Sequence, residues 1–126
     1  NDSKTKYVLE QVKKAKKLCQ KNEHNINIAC LGIAFKSDID DLRESPALKI
    51  AASISLTKLR NLYIVEPNIS ELPKNLKNTN AILTGLEDGI SESDIIIVLV
   101  DHKEFMSIDK SLFENKIVID TRGITN

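Results

Sequence analysis

One segment of the sequence holds residues whose types and spacing favour ligand chemistry. It spans residues 32–47 and contains two cations among four acids: Lys36, Arg43, Asp38, Asp40, Asp41 and Glu44. The apolar run before it, residues 26–31, is typical of a buried strand, and Ser45 with Pro46 predicts the start of a helix. Open α/β sheets bind ligands at such a place, beside a strand's carboxyl end and a helix N-terminus. The composition of this loop indicates recognition of a phosphorylated ligand.

Apolar periodicity predicts alternating strands and helices around this loop. We expect strands at 26–31, 62–65, 81–83, 95–100 and 117–119, long helices at 4–22 and 46–60, and short helical segments within 71–76, 86–91 and 105–113. The buried stripe of the first helix should contain Val8, Val12, Ala15 and Cys19, widened by Leu9 and Leu18. The second should bury Ala47, Ile50, Ala51, Ile54 and Leu59. Such alternation predicts a three-layer Rossmann-like α/β sandwich with a mainly parallel sheet, preceded by an N-terminal helix.

Composition narrows the class of protein. The 126 residues are 41% hydrophobic and 29% charged, as in a folded globular domain. The net charge of zero argues against nucleic acid as the main partner, and no apolar run is long enough to span a membrane. The lysine-rich start is unlike a signal peptide, and Cys19 and Cys30 are expected to be small hydrophobic residues in a reducing cytoplasm.

Several familiar catalytic patterns are absent from the sequence. Its four glycines form no G-x-G-x-x-G fingerprint, there is no P-loop, and two histidines with two scattered cysteines make no zinc motif. The sequence therefore favours a partner domain over a complete oxidoreductase.

Three groups of polar residues have two interpretations each. Asp38, Asp40 and Asp41 could bind magnesium, although pairing with the nearby cations is simpler. Asp101 and His102 could act as a general base, but loop hydrogen bonding is favoured. Glu66 could bond a ribose hydroxyl by its position, but it also begins the turn signal Glu66-Pro67-Asn68.

Four sequence motifs carry a resemblance to a known family. The main one is F-K-x-D-x-D-D-x-R-E-S-P at 35–46, followed by V-E-P-N at 65–68, L-V-D-H at 99–102 and V-I-D-T-R-G at 118–123. In this order they resemble the C-terminal domain of the UDP-glucose/GDP-mannose dehydrogenase family. Residues 66–69 and 100–102 resemble the branch that oxidises UDP-N-acetyl-D-mannosamine.

The resemblance implies an activity and a domain organisation. Enzymes of this family oxidise the C6 hydroxyl of a nucleotide sugar to a carboxylate, using NAD and an upstream cysteine. Residues 1–22 would be the end of the central connecting helix, and residues 23–126 the nucleotide-sugar (UDP)-binding domain. The NAD loop and the nucleophilic cysteine would lie outside this chain, which alone should be inactive. The intact enzyme would be a homodimer or a higher oligomer.

The resemblance also implies roles for individual residues. Phe35 and Lys36 match positions that hold the uridine nucleotide, and Arg122 matches an arginine that contacts the substrate, commonly from the neighbouring subunit. Arg43 matches a position that reaches NAD bound by the N-terminal domain, or it pairs with nearby acids. Neither cysteine matches the catalytic motif, so no catalytic residue is expected here.

Two other functions stay open at this point. The same domain could serve a UDP-glucose or UDP-N-acetylglucosamine dehydrogenase. Alternatively, a flavodoxin-like binding module could present Asp101 as a phosphoacceptor.

Overall fold

Five short parallel strands form one sheet in a computed structural model that describes residues 2–34, 38, 42–43 and 45–125. The strands are β1 (Asn27–Leu31), β2 (Asn61–Val65), β3 (Ala81–Leu83), β4 (Ile95–Val98) and β5 (Ile117–Asp120). Their order is β3-β2-β1-β4-β5, and every neighbouring pair is parallel. The order reverses between β1 and β4, which makes their carboxyl ends the expected ligand edge.

Helices cover both faces of the sheet and complete the three predicted layers. They are α1 (Asp2–Leu18), α2 (Pro46–Ser55), α3 (Leu86–Ser91) and α4 (Lys103–Met106), with 3₁₀ turns at Glu23–Asn25, Lys74–Leu76 and Lys110–Phe113. Alternate residues of β1 point to opposite faces. Ile28 and Cys30 join the core beneath α1 and α2, whereas Ala29 and Leu31 join the core that contains Ile90 of α3 and Phe105 of α4. The predicted three-layer Rossmann-like sandwich is confirmed.

The N-terminal helix packs against the sheet but is shorter than predicted. Val8, Val12 and Ala15 are buried as expected, whereas Leu18 is 69% exposed, so its assignment to the buried stripe was wrong. The helix ends at Leu18, and Gln20 adopts a left-handed φ of 54°. No helix in the described parts of the chain is long and apolar enough to cross a membrane.

The second helix also ends earlier than the apolar pattern predicts. It stops at Ser55, and the Thr57 hydroxyl donates to the Ile54 carbonyl. Leu56 is 85% exposed, and the chain then turns so that Leu59 is buried from outside the helix. The apolar spacing of Leu59 therefore reflects the turn rather than another helical turn.

Ser45 begins α2 as predicted and ties it to the loop after β1. Its buried hydroxyl accepts from the Leu48 N–H at 3.1 Å and donates to the Ile33 carbonyl at 2.7 Å. Ser45→Ala should therefore lower the free energy of unfolding by about 1–2 kcal/mol. Urea denaturation would measure this, with Ser91→Ala as control. The Ser91 hydroxyl donates to Asp88 in an exposed helix end, so its loss should cost less than about 0.5 kcal/mol, and equal losses would contradict the prediction.

Candidate functional site

The loop after β1 begins with a close approach that requires glycine. Gly32 has a φ of 92°, and a Cβ atom there would lie 2.6 Å from Val100 Cβ and 3.3 Å from Phe105 Cε2. Its N–H donates to the Val65 carbonyl at 2.8 Å. The absence of a side chain thus lets the segments after β1 and β4 pack directly together at the ligand edge.

A buried carboxylate occupies the turn that follows Gly32. Glu66, at the end of β2, is 3% exposed, and its Oε1 accepts from the N–H groups of Ile33 at 2.9 Å and Ala34 at 3.1 Å. Its Oε2 accepts from the Asn68 N–H at 3.2 Å and side-chain amide at 3.1 Å. Glu66 therefore links the loops after β1 and β2.

His102 completes this group from the loop after β4. It is fully buried, its Nδ1 accepts from the Asp38 N–H at 2.7 Å, and its Nε2 lies 2.9 Å from Glu66 Oε1. Because Nδ1 accepts a hydrogen bond, the ring hydrogen is on Nε2 and is donated to Glu66. The imidazole thus connects the Glu66 carboxylate to Asp38.

The hydrogen bonds around Glu66 favour its ionised form. Burial by itself would raise the pKa of this carboxyl, but the His102 ring and the N–H groups of Ile33 and Asn68 together lower the pKa below its ordinary value. At neutral pH Glu66 is therefore a buried carboxylate whose lone pairs are satisfied by five donors.

The Asp38 side chain also bonds to the loop after β4, which contains His102. Its Oδ1 accepts from the Lys103 N–H at 2.8 Å, at the start of α4, while its backbone has a left-handed φ of 63°. Aspartate tolerates this conformation better than most residues. Two hydrogen bonds therefore join the loops after β1 and β4 here, one from the Asp38 N–H and one to the Asp38 carboxylate.

Glu66 already accepts from the N–H groups that a dinucleotide would use at this turn. In a dinucleotide-binding sheet, N–H groups of the first βα turn face a pyrophosphate. Here the corresponding donors, on Ile33 and Ala34, already meet Glu66. An anionic ligand at this edge must therefore be bound mainly by side chains or by other backbone groups.

Arg122 lies on a tight turn organised by Asp120 at the end of β5. The Asp120 carboxylate accepts from the N–H groups of Arg122 at 3.0 Å, Gly123 at 2.8 Å and Thr125 at 2.7 Å. Burial opposes ionisation of Asp120, but bonds from the Thr125 hydroxyl and these N–H groups lower its pKa overall. The exposed Arg122 side chain donates from Nε to the Leu99 carbonyl at 3.2 Å, which directs it across the ends of β4 and β5.

Arg122 borders a small pocket at the ligand edge. Its volume is about 140 Å³, and its wall consists of Lys4, Ala34, Pro46, Ala47, Ile50, Leu99 and Arg122. Two cations therefore line a pocket next to the first turn of α2. Small-molecule sites usually occupy about 300–1,000 Å³, so this pocket fits a phosphate-sized group rather than a whole nucleotide sugar.

The structure places the other predicted site residues apart from this pocket or does not describe them. Arg43 is exposed and lines a separate depression with Leu42, Leu48 and Lys49, so it is not brought together with Arg122. Phe35 and Lys36, predicted to hold the nucleotide, lie outside the described residues. So do Asp40, Asp41 and Glu44, the predicted partners of Arg43.

Both cysteine thiols are held in the protonated form. Burial raises the pKa of Cys30 in β1 to about 12. Cys19 packs at the edge of the core, and partial burial, followed by the nearby Asp94 charge, raises its pKa as well. Both cysteines are unpaired, as expected from the sequence, and Cys30 is the buried hydrophobic residue that was predicted.

The sequence did not reveal that Glu66 and His102 meet. The expected turn role of Glu66 accounts for its contact with Asn68. His102 was expected to bond locally within its loop, but its partners are Asp38 and Glu66, 64 and 36 positions away. The only available signal was that both residues follow apolar strands at the same sheet edge. Within the described residues, no three carboxylate, imidazole or thiol groups converge as a metal site requires.

The parallel sheet and its strand order define a Rossmann-like α/β domain. Residues 29–126 match the model of the UDP-glucose/GDP-mannose dehydrogenase family, UDP binding domain. The chain belongs to this family and corresponds to its UDP binding domain.

Individual relatives agree with this assignment. The chain is 40% identical to an NDP-N-acetyl-D-galactosaminuronic acid dehydrogenase of Ralstonia solanacearum and 41% identical to a UDP-N-acetyl-D-mannosamine dehydrogenase of Salmonella typhi, in both cases over 98% of this chain. A solved UDP-D-ManNAc dehydrogenase from Pyrococcus horikoshii matches with a TM-score of 0.80 and 26% identity, over 98% of this chain and 28% of that chain. The chain spans 28% and 30% of the length of the first two relatives.

Proposed function

We infer that this chain supplies the nucleotide-sugar site of an NAD-dependent UDP-sugar 6-dehydrogenase. The observation that carries the proposal is the pocket bordered by Arg122, at the ligand edge of a chain that belongs to this family. In the proposed complex Arg122 contacts the substrate, while Phe35 and Lys36 hold the uridine nucleotide. Guanidinium and ammonium groups both suit a diphosphate, the first by paired bonds and the second as a point charge.

The size of the pocket supports a site that residues beyond the pocket wall complete. A volume of about 140 Å³ leaves most of a nucleotide sugar to be contacted elsewhere. We propose that residues 1–22 continue a central connecting helix, that residues 23–126 form the UDP-binding domain, and that the intact enzyme is a homodimer or higher oligomer. The chain alone should therefore bind UDP weakly and catalyse nothing. Assaying it with NAD and a UDP-sugar would test the last point, since turnover would contradict it.

The NAD cofactor is proposed to bind mainly outside this chain. The first-turn N–H groups that a dinucleotide would use already donate to Glu66, and no glycine-rich loop is present. The proposed NAD site therefore belongs to another domain, with Arg43 as the residue of this chain that would reach it. A cytoplasmic location is part of the proposal, in keeping with two unpaired cysteines.

The proposed substrate is UDP-N-acetyl-D-mannosamine, oxidised to its uronate for polysaccharide biosynthesis. Support comes from several relatives of about 40% identity that carry this activity in their names. The Ralstonia relative is named for a different N-acetylated sugar, so comparing the two UDP-sugars in the intact enzyme is the direct test.

Titration calorimetry of the chain with UDP at low salt tests the nucleotide site. Arg122→Ala and Lys36→Ala should each weaken binding about tenfold, because each removes a charge-assisted phosphate contact. Lys21→Ala is the matched control. It also removes one positive charge, but its ammonium pairs with Asp94 near the amino end of β1, 3.1 Å away. Equal weakening by all three variants would indicate a general charge effect and contradict the proposed site, as would a wild-type chain that binds GDP as well as UDP.

A further inference from the structure

The turn after β5 is held at both ends by the Asp120 carboxylate. Its Oδ1 accepts from the N–H groups of Arg122 at 3.0 Å and Gly123 at 2.8 Å. Its Oδ2 accepts from the N–H group and the hydroxyl of Thr125, both at 2.7 Å. One carboxylate therefore closes residues 120–125 into a single hydrogen-bonded turn.

Two residues attach this turn to the chain after β4. Thr121 donates to the Val98 carbonyl from its hydroxyl at 2.6 Å and from its N–H at 3.1 Å. Arg122 donates from Nε to the Leu99 carbonyl at 3.2 Å. A guanidinium has five side-chain N–H groups, and within the described residues only the Nε–H of Arg122 has an acceptor. The four N–H groups of the terminal nitrogens are thereby left for the pocket that Arg122 borders.

We propose that Asp120 is a positioning residue, which holds the Arg122 guanidinium at the pocket where a phosphate group of the nucleotide sugar binds. This inference rests on the proposed function, which gives Arg122 its contact with the substrate. Asp120 does not touch the ligand in this account, because its two oxygens already accept four hydrogen bonds from the turn. The benefit is preorganisation: an arginine that is already fixed loses less conformational entropy when the anion arrives.

The sign of the effect separates positioning from simple electrostatics. The hydrogen bonds of the turn lower the pKa of Asp120, so the side chain is negatively charged at neutral pH. A negative charge two residues from Arg122 repels a diphosphate, and on electrostatic grounds its removal should strengthen UDP binding. The positioning role predicts weaker binding instead, because the turn that carries Arg122 loses the bonds that fix it.

Two substitutions of Asp120 remove the same charge but different hydrogen bonds. Asp120→Ala removes every bond that the carboxylate accepts. Asp120→Asn keeps one oxygen, which accepts from the N–H groups of Arg122 and Gly123. Its amide then faces Thr125, whose hydroxyl can act as the acceptor. The positioning role therefore predicts weaker UDP binding by the alanine variant and rescue by asparagine.

The control variant removes a carboxylate at the opposite end of the sheet. Asp94 Oδ2 accepts from the Asn27 N–H at 2.9 Å, where β1 begins. Asp94→Ala loses one negative charge and one acceptor of a backbone N–H, as Asp120→Ala does, but away from the ligand edge. Its UDP affinity should be unchanged, whereas a general effect of charge or of lost stability would appear in both variants.

The test combines UDP titration calorimetry with NMR measurement of hydrogen exchange at the Arg122 Nε–H, on the 126-residue chain. For Asp120→Ala we expect UDP binding roughly three- to tenfold weaker and Nε–H exchange at least about threefold faster, with both near wild type in Asp120→Asn. Unchanged or stronger UDP binding by Asp120→Ala, unchanged Nε–H exchange in it, or equal affinities of the two Asp120 variants would overturn the proposal.

Failure of the proposed function has a different signature. If the wild-type chain binds no UDP, the nucleotide site itself is wrong, and a positioning role for that ligand falls with it. If the wild type binds UDP and Arg122→Ala weakens binding, while Asp120→Ala binds as tightly as the wild type, the nucleotide site stands and only the positioning role is refuted.

Discussion

Replacing Gly32 by alanine should lower the free energy of unfolding by roughly 3–5 kcal/mol. Two costs combine: the φ of 92° is unfavourable for a residue with a Cβ atom, and that atom would lie 2.6 Å from Val100 Cβ. The close contact with Val100 Cβ cannot be relieved by a side-chain rotation, because that atom is fixed to its backbone. The segments after β1 and β4 would have to separate.

Urea denaturation of Gly32→Ala beside Gly85→Ala measures this effect. Gly85 precedes α3 with a φ of −74°, and nothing lies within 4 Å of the place where its Cβ would be. Its substitution should cost less than about 1 kcal/mol, mainly through the weaker capping of the helix by alanine. A Gly32→Ala chain as stable as the Gly85→Ala chain would show that the close approach to Val100 contributes little.

Separation of the segments after β1 and β4 in the Gly32→Ala chain should also disturb the ligand edge. Val100 and Phe105, which a new Cβ would contact, lie on either side of His102 in sequence, and Phe105 packs on the His102 ring. We therefore expect the Gly32→Ala chain, at temperatures where it is folded, to lose protection at the Asp38 amide as well.

Strand positions were largely predictable from the sequence because each strand is marked by a local run of apolar residues. The four residues of β4 are all buried, and the sequence shows them as an uninterrupted apolar run. The bounds of β3 and α3 are those predicted, and Ser45 with Pro46 begins α2 as expected. Parallel pairing then follows from the alternation of strands and helices.

Helix ends were predicted less accurately because tertiary contacts decide where a helix stops. The apolar Leu18 extends the pattern of α1 yet faces solvent, and Leu59 extends the pattern of α2 although the chain has already turned. In both cases the helical spacing of apolar residues continues past the last residue of the helix. Sequence periodicity cannot locate that end, because tertiary contacts decide it.

The candidate site was likewise predicted from the sequence only in part. The location of the ligand edge and of Arg122 followed from local motifs, whereas the buried unit of Glu66 and His102 joins residues 36 positions apart. Each residue separately resembles a polar residue in a surface turn. Their burial arises only when the ends of β1, β2 and β4 come together, and that proximity is a property of the sheet order.

The second large effect is expected at Glu66 itself. Glu66→Ala would leave four backbone or ring donors and the Asn68 amide facing a space without an acceptor. Removing one partner of a buried, hydrogen-bonded charge typically costs about 3–5 kcal/mol, so we expect a loss of that size at pH 7. Glu66→Gln keeps the volume and one acceptor, so its loss should be smaller, about 1–3 kcal/mol.

The dependence on pH distinguishes the charge of Glu66 from its shape. The pKa of Glu66 is lowered in the folded chain, so the folded state favours the ionised form more than the unfolded state does. Its contribution to stability is therefore fully present above the ordinary glutamate value of about 4.5 and is lost as the pH falls through the lower folded value. Glutamine has no such contribution at any pH.

Urea denaturation of wild type and Glu66→Gln between pH 7 and pH 3 should show this directly. The difference in unfolding free energy should be largest at neutral pH and shrink as the pH falls below about 4.5. Glu71→Gln is the control: its side chain is 79% exposed and pairs with Lys77 at 3.3 Å, so we expect a change below about 0.5 kcal/mol. A Glu66→Gln difference that stayed constant with pH would mean that the carboxylate stabilises the ligand edge by its shape and not by its charge.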